Sequence, residues 1–458
     1  MNESTSHRGV RVFVSDGPDR LFRESTQPAA RFGSADTPAV TVDIGSRHQI
    51  IDGFGASFTD SAAYLMNDVL PAVATERAMR ELFSPDSGIG LSLLRNPMGA
   101  SDYARTIYSY DDQPRGVKDP ELTGFRIDHD LESILPLTRR ARELNPRLQV
   151  FASPWSAPGW MKTTDSMIGG ALLPEFSAAY AEYFVRFIQA WNAEGVPISA
   201  VTPQNEPLYV PEHYPGMLMT AEDQVAFVRD HLAPAFRRAG LSTKILGYDH
   251  NWDRVDYPFS LLDEAAEVFD GIAWHWYDGK AISQSRVSRD YPEKEVHFIE
   301  GSGGSWIPEF EPAFSHLMRE AIEILRNDSR SVILWNLALD ESNGPTVPGF
   351  GESTCRGLLR VDQRSCSYEL TLDYFGLAHF SRFIRPGARR VDSTQVDRFK
   401  TIAARNEDGS VALVVFNDGD HAAPLRVLVR EGEEDGKEYA RLDLPSRAAA
   451  TVVFPSHA

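Results

Sequence analysis

The sequence predicts an α/β fold in which a (β/α)8 TIM barrel is joined to an accessory β-sandwich formed by the N- and C-terminal segments. Between about residues 50 and 340, short apolar runs rich in β-branched residues alternate with longer amphipathic stretches, as in repeated βα units. Eight of these runs read as strands, which is the number that closes this kind of barrel. Beyond Pro386, short alternating runs separated by polar turns indicate a second, all-β unit.

Each predicted barrel strand is followed by polar, aromatic or glycine residues. Because the carboxyl ends of barrel strands open on one face, we expect these residues to surround a single site. An open doubly wound sheet is the alternative, but no glycine-rich phosphate loop follows the first strand. The predicted strands are Gln49–Ala56, Ile89–Arg95, Leu148–Ser153, Ile198–Gln204, Lys244–Tyr248, Gly271–His275, Val296–Glu300 and Ser331–Asn336.

The remaining segments divide the chain into an N-terminal segment (1–45), a barrel (46–385) and a C-terminal β-sandwich (386–458). Between barrel strands, aromatic residues at three- and four-residue spacing predict a helix over Ser177–Glu194 that packs in the core. Two N-terminal runs, Val10–Val14 and Ala39–Val42, are expected to pair with the sandwich. The sandwich strands are predicted at Thr401–Ala404, Val411–Phe416, Leu425–Val429 and Ala448–Phe454.

Composition excludes several classes of function. The 458 residues carry a net charge of −19, which repels nucleic acid and anionic lipid surfaces. The N-terminus lacks the apolar run of a secretory signal, and no apolar stretch is long enough for stable membrane insertion, so a cytoplasmic location is expected. Cys355 and Cys366 are too few for a disulfide framework, and two free thiols are favoured over a bridge. The oligomeric state stays open.

Two glutamates end predicted barrel strands. Glu206 follows the fourth strand and precedes a proline that stops it, and Glu300 ends the seventh strand before a run of glycines. Either acid alone could be a loop residue or a helix cap, but together they match the pair of carboxyl groups, about 5–5.5 Å apart, that retaining glycosidases use. We therefore expect Glu206 to be the protonated general acid/base and Glu300 the ionised nucleophile.

Aromatic and polar residues cluster at the other strand ends. Sugars present flat C–H faces and hydroxyl groups, so aromatic platforms with nearby amides and carboxylates indicate a carbohydrate site. Each aromatic residue alone is more often a packing residue. His275 has no second His or Cys at ligand spacing, so we predict a hydrogen-bonding role, no metal and no cofactor. These strand-end residues are Asp102, Tyr103, Trp155, His275, Trp276, Tyr277, Trp335 and Asn336.

The chain resembles glycoside hydrolase family 30, which includes lysosomal acid glucosylceramidase and bacterial β-glucosidases, β-xylosidases and β-1,6-glucanases. The matching stretches run in family order from about Gly53 to Val391, and their combination is highly specific. They are GFGASFTDSAA, LLRNPMGASDY, FASPWSAPGWMK, VTPQNEP, GIAWHWY, FIEGSGGSW, WNLALD and LAHFSRFIRPGARRV.

The resemblance implies a role for individual residues. Glu206 is implied as the acid/base, Asn205 as its neighbour near the sugar 2-hydroxyl, and Glu300 as the nucleophile. Arg95 resembles the family's buried arginine beneath the carboxylates, and Tyr277 is implied to hydrogen-bond Glu300. Residues implied to line the terminal sugar subsite or to surround the nucleophile are Asp102, Trp155, Trp335, His275 and Trp276.

The sequence departs from glucosylceramidases next to the site. Gly301-Ser302 follows the nucleophile where those enzymes have a small residue and cysteine, Asp340 replaces an asparagine, and the loop Glu341–Cys355 differs. The expected function is exo-hydrolysis of terminal β-D-glucosides, of which glucosylceramide is one candidate. An endo-β-1,6-glucanase or a β-xylosidase is the alternative, and a non-catalytic sugar-binding barrel is disfavoured because both glutamates are present.

Overall fold

The computed structural model describes residues 9–25, 37–305, 313–432 and 436–455. Eight strands close into a barrel, which confirms the predicted fold class. The first barrel strand begins later than predicted, because Ile50–Ile51 pairs with Ala388–Ser393 instead. The barrel strands are Gly53–Ala56, Leu93–Pro97, Gln149–Ser153, Ile198–Val201, Lys244–Asn251, Gly271–His275, Glu295–Glu300 and Ser331–Leu334.

Helices connect the strands, and the amphipathic segment after the third strand is helical over Ser177–Ala193, close to its predicted bounds. Its aromatic side chains are buried, as their spacing predicts. A small three-stranded sheet of Ala338–Asp340, Leu359–Asp362 and Ser367–Leu370 follows the last barrel strand. The other α-helices are Asp60–Tyr64, Ala72–Phe83, Asp128–Glu132, Ile134–Leu144, Ala221–Phe227, Ala233–Ala239, Asp256–Ala265, Ile282–Asp290, Ala313–Arg326 and Leu372–Ser381.

The barrel interior is built in layers. One buried apolar layer takes a residue from each of seven strands: Leu93, Phe151, Ala200, Leu246, Ala273, Ile299 and Ile333. Side chains of a strand point alternately inward and outward, so the residue two positions further on also faces inward. Arg95, Ser153, Thr202 and His275 hold those positions, and the buried hydrogen bonds from Arg95 Nε and Thr202 Oγ1 to Ser153 Oγ join three of them. A polar layer therefore lies above the apolar one, toward the strand ends.

The N-terminal strands pair with C-terminal strands, as predicted. Arg11–Ser15 lies antiparallel to Ala449–Phe454, and Ala39–Asp43 lies between Ala388–Ser393 and Ala423–Arg430. Alternating residues of these strands bury a common apolar core that includes Val40, Leu413 and Val452. The strands of this sheet, in order, are Arg23–Glu24, Arg11–Ser15, Ala449–Phe454, Val411–Asn417, Phe399–Arg405, Ala388–Ser393, Ala39–Asp43, Ala423–Arg430 and Lys437–Leu444.

Two compact units can be separated. A barrel unit comprises Gly55–Trp306 and Ser331–Thr371, and a sandwich unit comprises Met1–Phe54, Ile307–Arg330 and Leu372–Ala458. The predicted domain boundaries stay predictions. Among the described residues, no helix combines the length and the apolar composition needed to cross a membrane. Cys355 and Cys366 are free thiols.

Candidate active site

A buried arginine connects the polar groups at the mouth of the barrel. The Arg95 side chain has no exposed surface and donates from Nη1 to Glu300 Oε2 at 2.6 Å. Its Nη2 donates to Asn205 Oδ1 at 2.7 Å and to both oxygens of Asp249 at 3.0 Å. One guanidinium from the second strand therefore fixes groups from the fourth, fifth and seventh strands, which the sequence separates widely.

Glu300 is held at both carboxylate oxygens. Arg95 occupies Oε2, and the Tyr277 hydroxyl donates to Oε1 at 3.0 Å, as the family resemblance implies. The glycine after Glu300 is required by packing, because a Cβ atom on Gly301 would lie 2.3 Å from the Trp276 ring. The group that approaches the backbone at Gly301 is therefore the indole ring of Trp276.

Glu206 lies on the rim, with strained backbone. Its φ of 45° falls in the left-handed region, and its amide donates to the Asp249 carbonyl at 2.9 Å. Its Oε1 lies 3.3 Å from His275 Nδ1 and 3.7 Å from His250 Nδ1. The Glu206 side chain is 17% exposed and that of Glu300 is 6% exposed, so Glu206 is the more accessible of the two.

The two glutamates meet at one imidazole. His275 Nδ1 lies 3.3 Å from Glu206 Oε1 and 3.8 Å from Glu300 Oε1. These two carboxylate oxygens are therefore at most about 7.1 Å apart, below the upper limit of the carboxyl separations that glycosidases use. The structure therefore brings together the two acids that the sequence places 94 residues apart (206 to 300).

Electrostatics keep His275 protonated. Burial alone would lower the pKa of this ring, but Glu300 and the hydrogen bonds to Asp249 and Glu206 raise it to about 9. Burial raises the pKa of Asp249, while Arg95 and His275 lower it well below its ordinary value. The mouth of the barrel thus contains a buried imidazolium between carboxylates at neutral pH.

The pKa values of the two glutamates move in opposite directions. Burial raises both, but the His275 hydrogen bond and the His250 and His275 charges bring the pKa of Glu206 below its usual value. For Glu300, burial and the Glu206 and Asp249 charges outweigh His275 and Arg95, so its pKa is raised. Glu206 therefore has the lower pKa of the two. The sequence analysis expects the reverse, and the difference arises because His275 hydrogen-bonds Glu206 and lies further from Glu300.

The predicted aromatic residues form one wall. Trp155 and Trp335 stack with centroids 4.9 Å apart, and the Arg95 guanidinium lies 4.8 Å over the Trp155 ring. Tyr103 is fully buried edge-on against Trp335, and its hydroxyl is hydrogen-bonded to Ser353. Tyr103 therefore supports the wall from behind.

Asp102 supplies a buried acid beside this wall. Its pKa is raised to about 8 by burial and by the Glu300 and Glu206 charges. Within the described part of the chain, its Oδ1 is buried without a hydrogen-bond partner. A protonated carboxyl with a free oxygen is suited to pair with a ligand hydroxyl.

Sequence reasoning missed Asp249 and His250. No second histidine stands at ligand spacing from His275 in the sequence, but the fold brings His250 close: Glu206, His250 and His275 place three potential ligand atoms within 4.8 Å of one another. His250 comes from the neighbouring fifth strand, so adjacency in the barrel, rather than spacing in the sequence, was the available signal. Both ring nitrogens of His275 contact carboxylates, an arrangement that suits proton transfer.

Other predicted residues differ in their placement. Asn336 is fully buried with a φ of 69°, and neither atom of its amide group has a partner among the described residues. Asp340 organises the following loop by accepting from the amides of Ser342 and Gly344. Trp306, which ends one of the matching motifs, lies outside the described residues.

Comparisons with known proteins define the class. The "Glycosyl hydrolase family 30 TIM-barrel domain" matches residues 51–384, and the "Glycosyl hydrolase family 30 beta sandwich domain" matches residues 387–452. The chain therefore belongs to glycosyl hydrolase family 30 and is a retaining O-glycosyl hydrolase.

The similar proteins carry two kinds of name, endo-1,6-β-glucanase and glucosylceramidase. "Endo-1,6-beta-D-glucanase BGN16.3" of Trichoderma harzianum is 32% identical over 89% of this chain and 84% of its own length. "Lysosomal acid glucosylceramidase" of Mus musculus is 29% identical over 85% of this chain and 79% of its own length. Among solved structures, "The endo-beta1,6-glucanase BT3312" has a TM-score of 0.87 and 30% identity, and covers 97% of this chain and 99% of its own.

Proposed function

We propose that this enzyme is an endo-acting β-1,6-glucanase in which Glu300 is the nucleophile and Glu206 the acid/base. The observation that carries the catalytic assignment is the convergence of both carboxylates on His275 Nδ1. The substrate assignment rests on similarity to proteins named as endo-1,6-β-glucanases, at 30–32% identity across nearly the whole chain.

In the first step, a Glu300 oxygen attacks the anomeric carbon while Glu206 protonates the departing glycosidic oxygen. The C–O bond to the leaving sugar breaks and a covalent glycosyl-enzyme forms. Arg95 and Tyr277 hold Glu300 in position for this attack. In the second step, Glu206 takes a proton from water, which attacks the same carbon and releases the sugar with its original configuration.

The mechanism needs Glu206 protonated and Glu300 ionised, and a bound sugar shifts both pKa values in that direction. A substrate removes water from the more exposed Glu206, which favours its neutral form. The same substrate places developing positive charge beside Glu300, which favours its ionised form. His275 contacts Glu206 directly and provides a route for the proton between the two acids.

Azide distinguishes the two acids by product stereochemistry. Without Glu300, azide takes the nucleophile's place and inverts the anomeric centre, so Glu300→Ala is expected to yield the α-glycosyl azide. Without Glu206, azide attacks the glycosyl-enzyme from the opposite face, so Glu206→Ala is expected to yield the β-glycosyl azide. Identical azide products from both variants would contradict the assignment.

Product sizes test the substrate. Early digestion of pustulan, a β-1,6-glucan, is expected to release a ladder of oligosaccharides, while β-1,3-glucan stays intact. Release of glucose alone would instead support the exo-acting β-glucosidase favoured by the sequence analysis. That second candidate is supported by the similarity to proteins named as glucosylceramidases, so glucosylceramide belongs in the same substrate panel.

A further inference from the structure

An exposed aromatic ring stands next to the proposed acid/base. Tyr209 is 51% exposed and is the only aromatic residue among the exposed large apolar side chains that the structure describes. Its amide donates to the Glu206 carbonyl at 2.8 Å, so a tight turn ties the two residues together. Isolated exposed apolar residues are ordinary on protein surfaces, and Tyr209 needs explanation only because of its neighbours.

Two other residues of the same loop are also exposed and apolar. Val210 and Leu218, exposed by 41% and 39%, belong to the same loop after the fourth strand. Val210 reaches toward Gly169, and Leu218 pairs with Ala171, so the loop after the third strand continues this surface. Of the eight exposed large apolar residues in the described part of the chain, three thus lie within ten positions of one loop, a clustering that marks binding surfaces.

Tyr214 connects this surface to the sugar wall. It packs against the cluster that contains Trp155 and Trp335, and burial together with the Asp102 and Glu206 charges raises its pKa. A hydrogen bond with Tyr209 adds to that effect. A path of aromatic rings therefore runs from the stacked tryptophans past Glu206 to the exposed Tyr209.

The surface is rigid before any ligand binds. Lys162 is buried and donates from Nζ to Ser156 Oγ, the Met167 carbonyl and the Gly216 carbonyl at 2.7–2.9 Å. The Gly216 amide in turn donates to the Met167 carbonyl at 3.0 Å. Because Lys162 locks the two loops together, little ordering entropy is lost when a ligand occupies the surface.

We propose that Tyr209 is the platform for the leaving-group sugar, on the opposite side of the cleaved bond from the Trp155–Trp335 wall. This inference rests on the proposed function, in which Glu206 protonates the oxygen of that leaving sugar. A single flat ring suits the C–H face of a pyranose. The same platform binds an acceptor sugar after the glycosyl-enzyme forms, so it also supports glucosyl transfer to sugar hydroxyls in competition with water.

The test compares two substrates that transfer the same gentiobiosyl group and differ in the leaving group. Gentiotriose then leaves glucose, whereas β-gentiobiosyl fluoride leaves fluoride, which has no ring to stack. Tyr209→Ala is expected to lower kcat/KM on gentiotriose about tenfold more than on the fluoride, and Tyr209→Phe to retain most of the activity. The matched control is Val73→Ala, an exposed apolar residue on the helix Ala72–Phe83, which should leave both values unchanged.

A second readout separates this inference from the proposed function. With β-glucosyl fluoride as donor and glucose or gentiobiose as acceptor, Tyr209→Ala is expected to reduce the ratio of transfer to hydrolysis, whatever glucan the enzyme prefers. If the wild-type enzyme does not cleave gentiotriose, the β-1,6 assignment is refuted. The ratio of transfer to hydrolysis then still tests whether Tyr209 binds the acceptor sugar. An unchanged ratio in Tyr209→Ala, or a larger loss on octyl β-glucoside than on gentiotriose, would overturn the sugar platform.

Discussion

The barrel unit and the sandwich unit each bury a histidine completely, and the two rings differ in their neighbours. In the barrel, His275 Nε2 lies 2.6 Å from an Asp249 oxygen, and carboxylates raise its pKa to about 9. In the sandwich unit, the ring nitrogens of His379 hydrogen-bond to the hydroxyls of Ser15 and Thr451, and burial lowers its pKa to about 3. Equal burial therefore gives a cation in one unit and a neutral ring in the other.

The difference shows where the molecule carries its chemistry. Around His275, buried charges are concentrated and the backbone at Glu206, Asp249 and Asn336 has positive φ, features that cost stability and persist at functional sites. Around His379, neutral hydrogen bonds accompany edge-on contacts with the rings of Phe22 and Phe314. We therefore expect changes at the barrel mouth to affect catalysis first and changes in the sandwich unit to affect stability first.

The largest expected effect comes from replacing a buried arginine. Arg95→Met leaves Asp249 and Glu300 without their shared cation, so kcat/KM should fall on the order of 10³-fold, and unfolding free energy by about 3–5 kcal/mol. The matched variant is Arg326→Met in the sandwich unit, where Arg326 donates to the carbonyls of Ser393 and Thr401. Steady-state kinetics and thermal unfolding should show a loss of Tm without loss of kcat for that control. Equal kinetic losses would contradict the comparison.

The next effect separates the two histidines directly. His275→Phe removes the group that joins both glutamates, so kcat should fall about 100-fold. His379→Phe removes one hydrogen-bond partner from each of the buried Ser15 and Thr451 hydroxyls and should reduce stability by about 1–3 kcal/mol with kcat unchanged. Denaturant unfolding and turnover on one aryl glucoside measure both variants. A loss of kcat in folded His379→Phe would contradict the assignment of His275 to catalysis and His379 to stability.

A smaller effect is expected from one hydroxyl group. Tyr277→Phe removes the donor to Glu300 Oε1, which raises the pKa of that glutamate further and should lower kcat about tenfold. Tyr180→Phe is the matched control, because the buried Tyr180 hydroxyl has no hydrogen-bond partner among the described residues. The pH–rate profile should shift to higher pH on its acidic limb for Tyr277→Phe alone.

The last effect is on the pH dependence of stability rather than on turnover. The folded pKa of His379 is lowered, so stability is expected to fall as pH drops from about 6.5 toward 3, where only the unfolded chain binds the proton. The folded pKa of His275 is raised, so its stabilisation is present below about 6.5 and lost as pH rises through 9. Urea unfolding across pH should lose the acid slope in His379→Phe and the alkaline slope in His275→Phe. Unchanged slopes in both variants would refute these titrations.

Much of the fold could be predicted because its signals are local. Short apolar runs marked every barrel strand, and the acids at or just after their ends marked Glu206 and Glu300. The sandwich strands Ala388–Ser393 and Lys437–Leu444 were missed, since both alternate with many charged residues that hide the apolar face. Ile50–Ile51 was assigned to the barrel because an apolar run does not show which partner it pairs with.

The sequence by itself determined which residues end strands, because strand length and side-chain alternation depend on near neighbours along the chain. Only the tertiary structure decided that Arg95 would reach Glu300, Asn205 and Asp249 at once, and that His250 would stand beside His275. Closing the barrel sets those contacts, since it places distant strands side by side and points their ends into one cleft. The tertiary structure also decided which of the two glutamates has the lower pKa, because their pKa values depend on charges contributed by other strands.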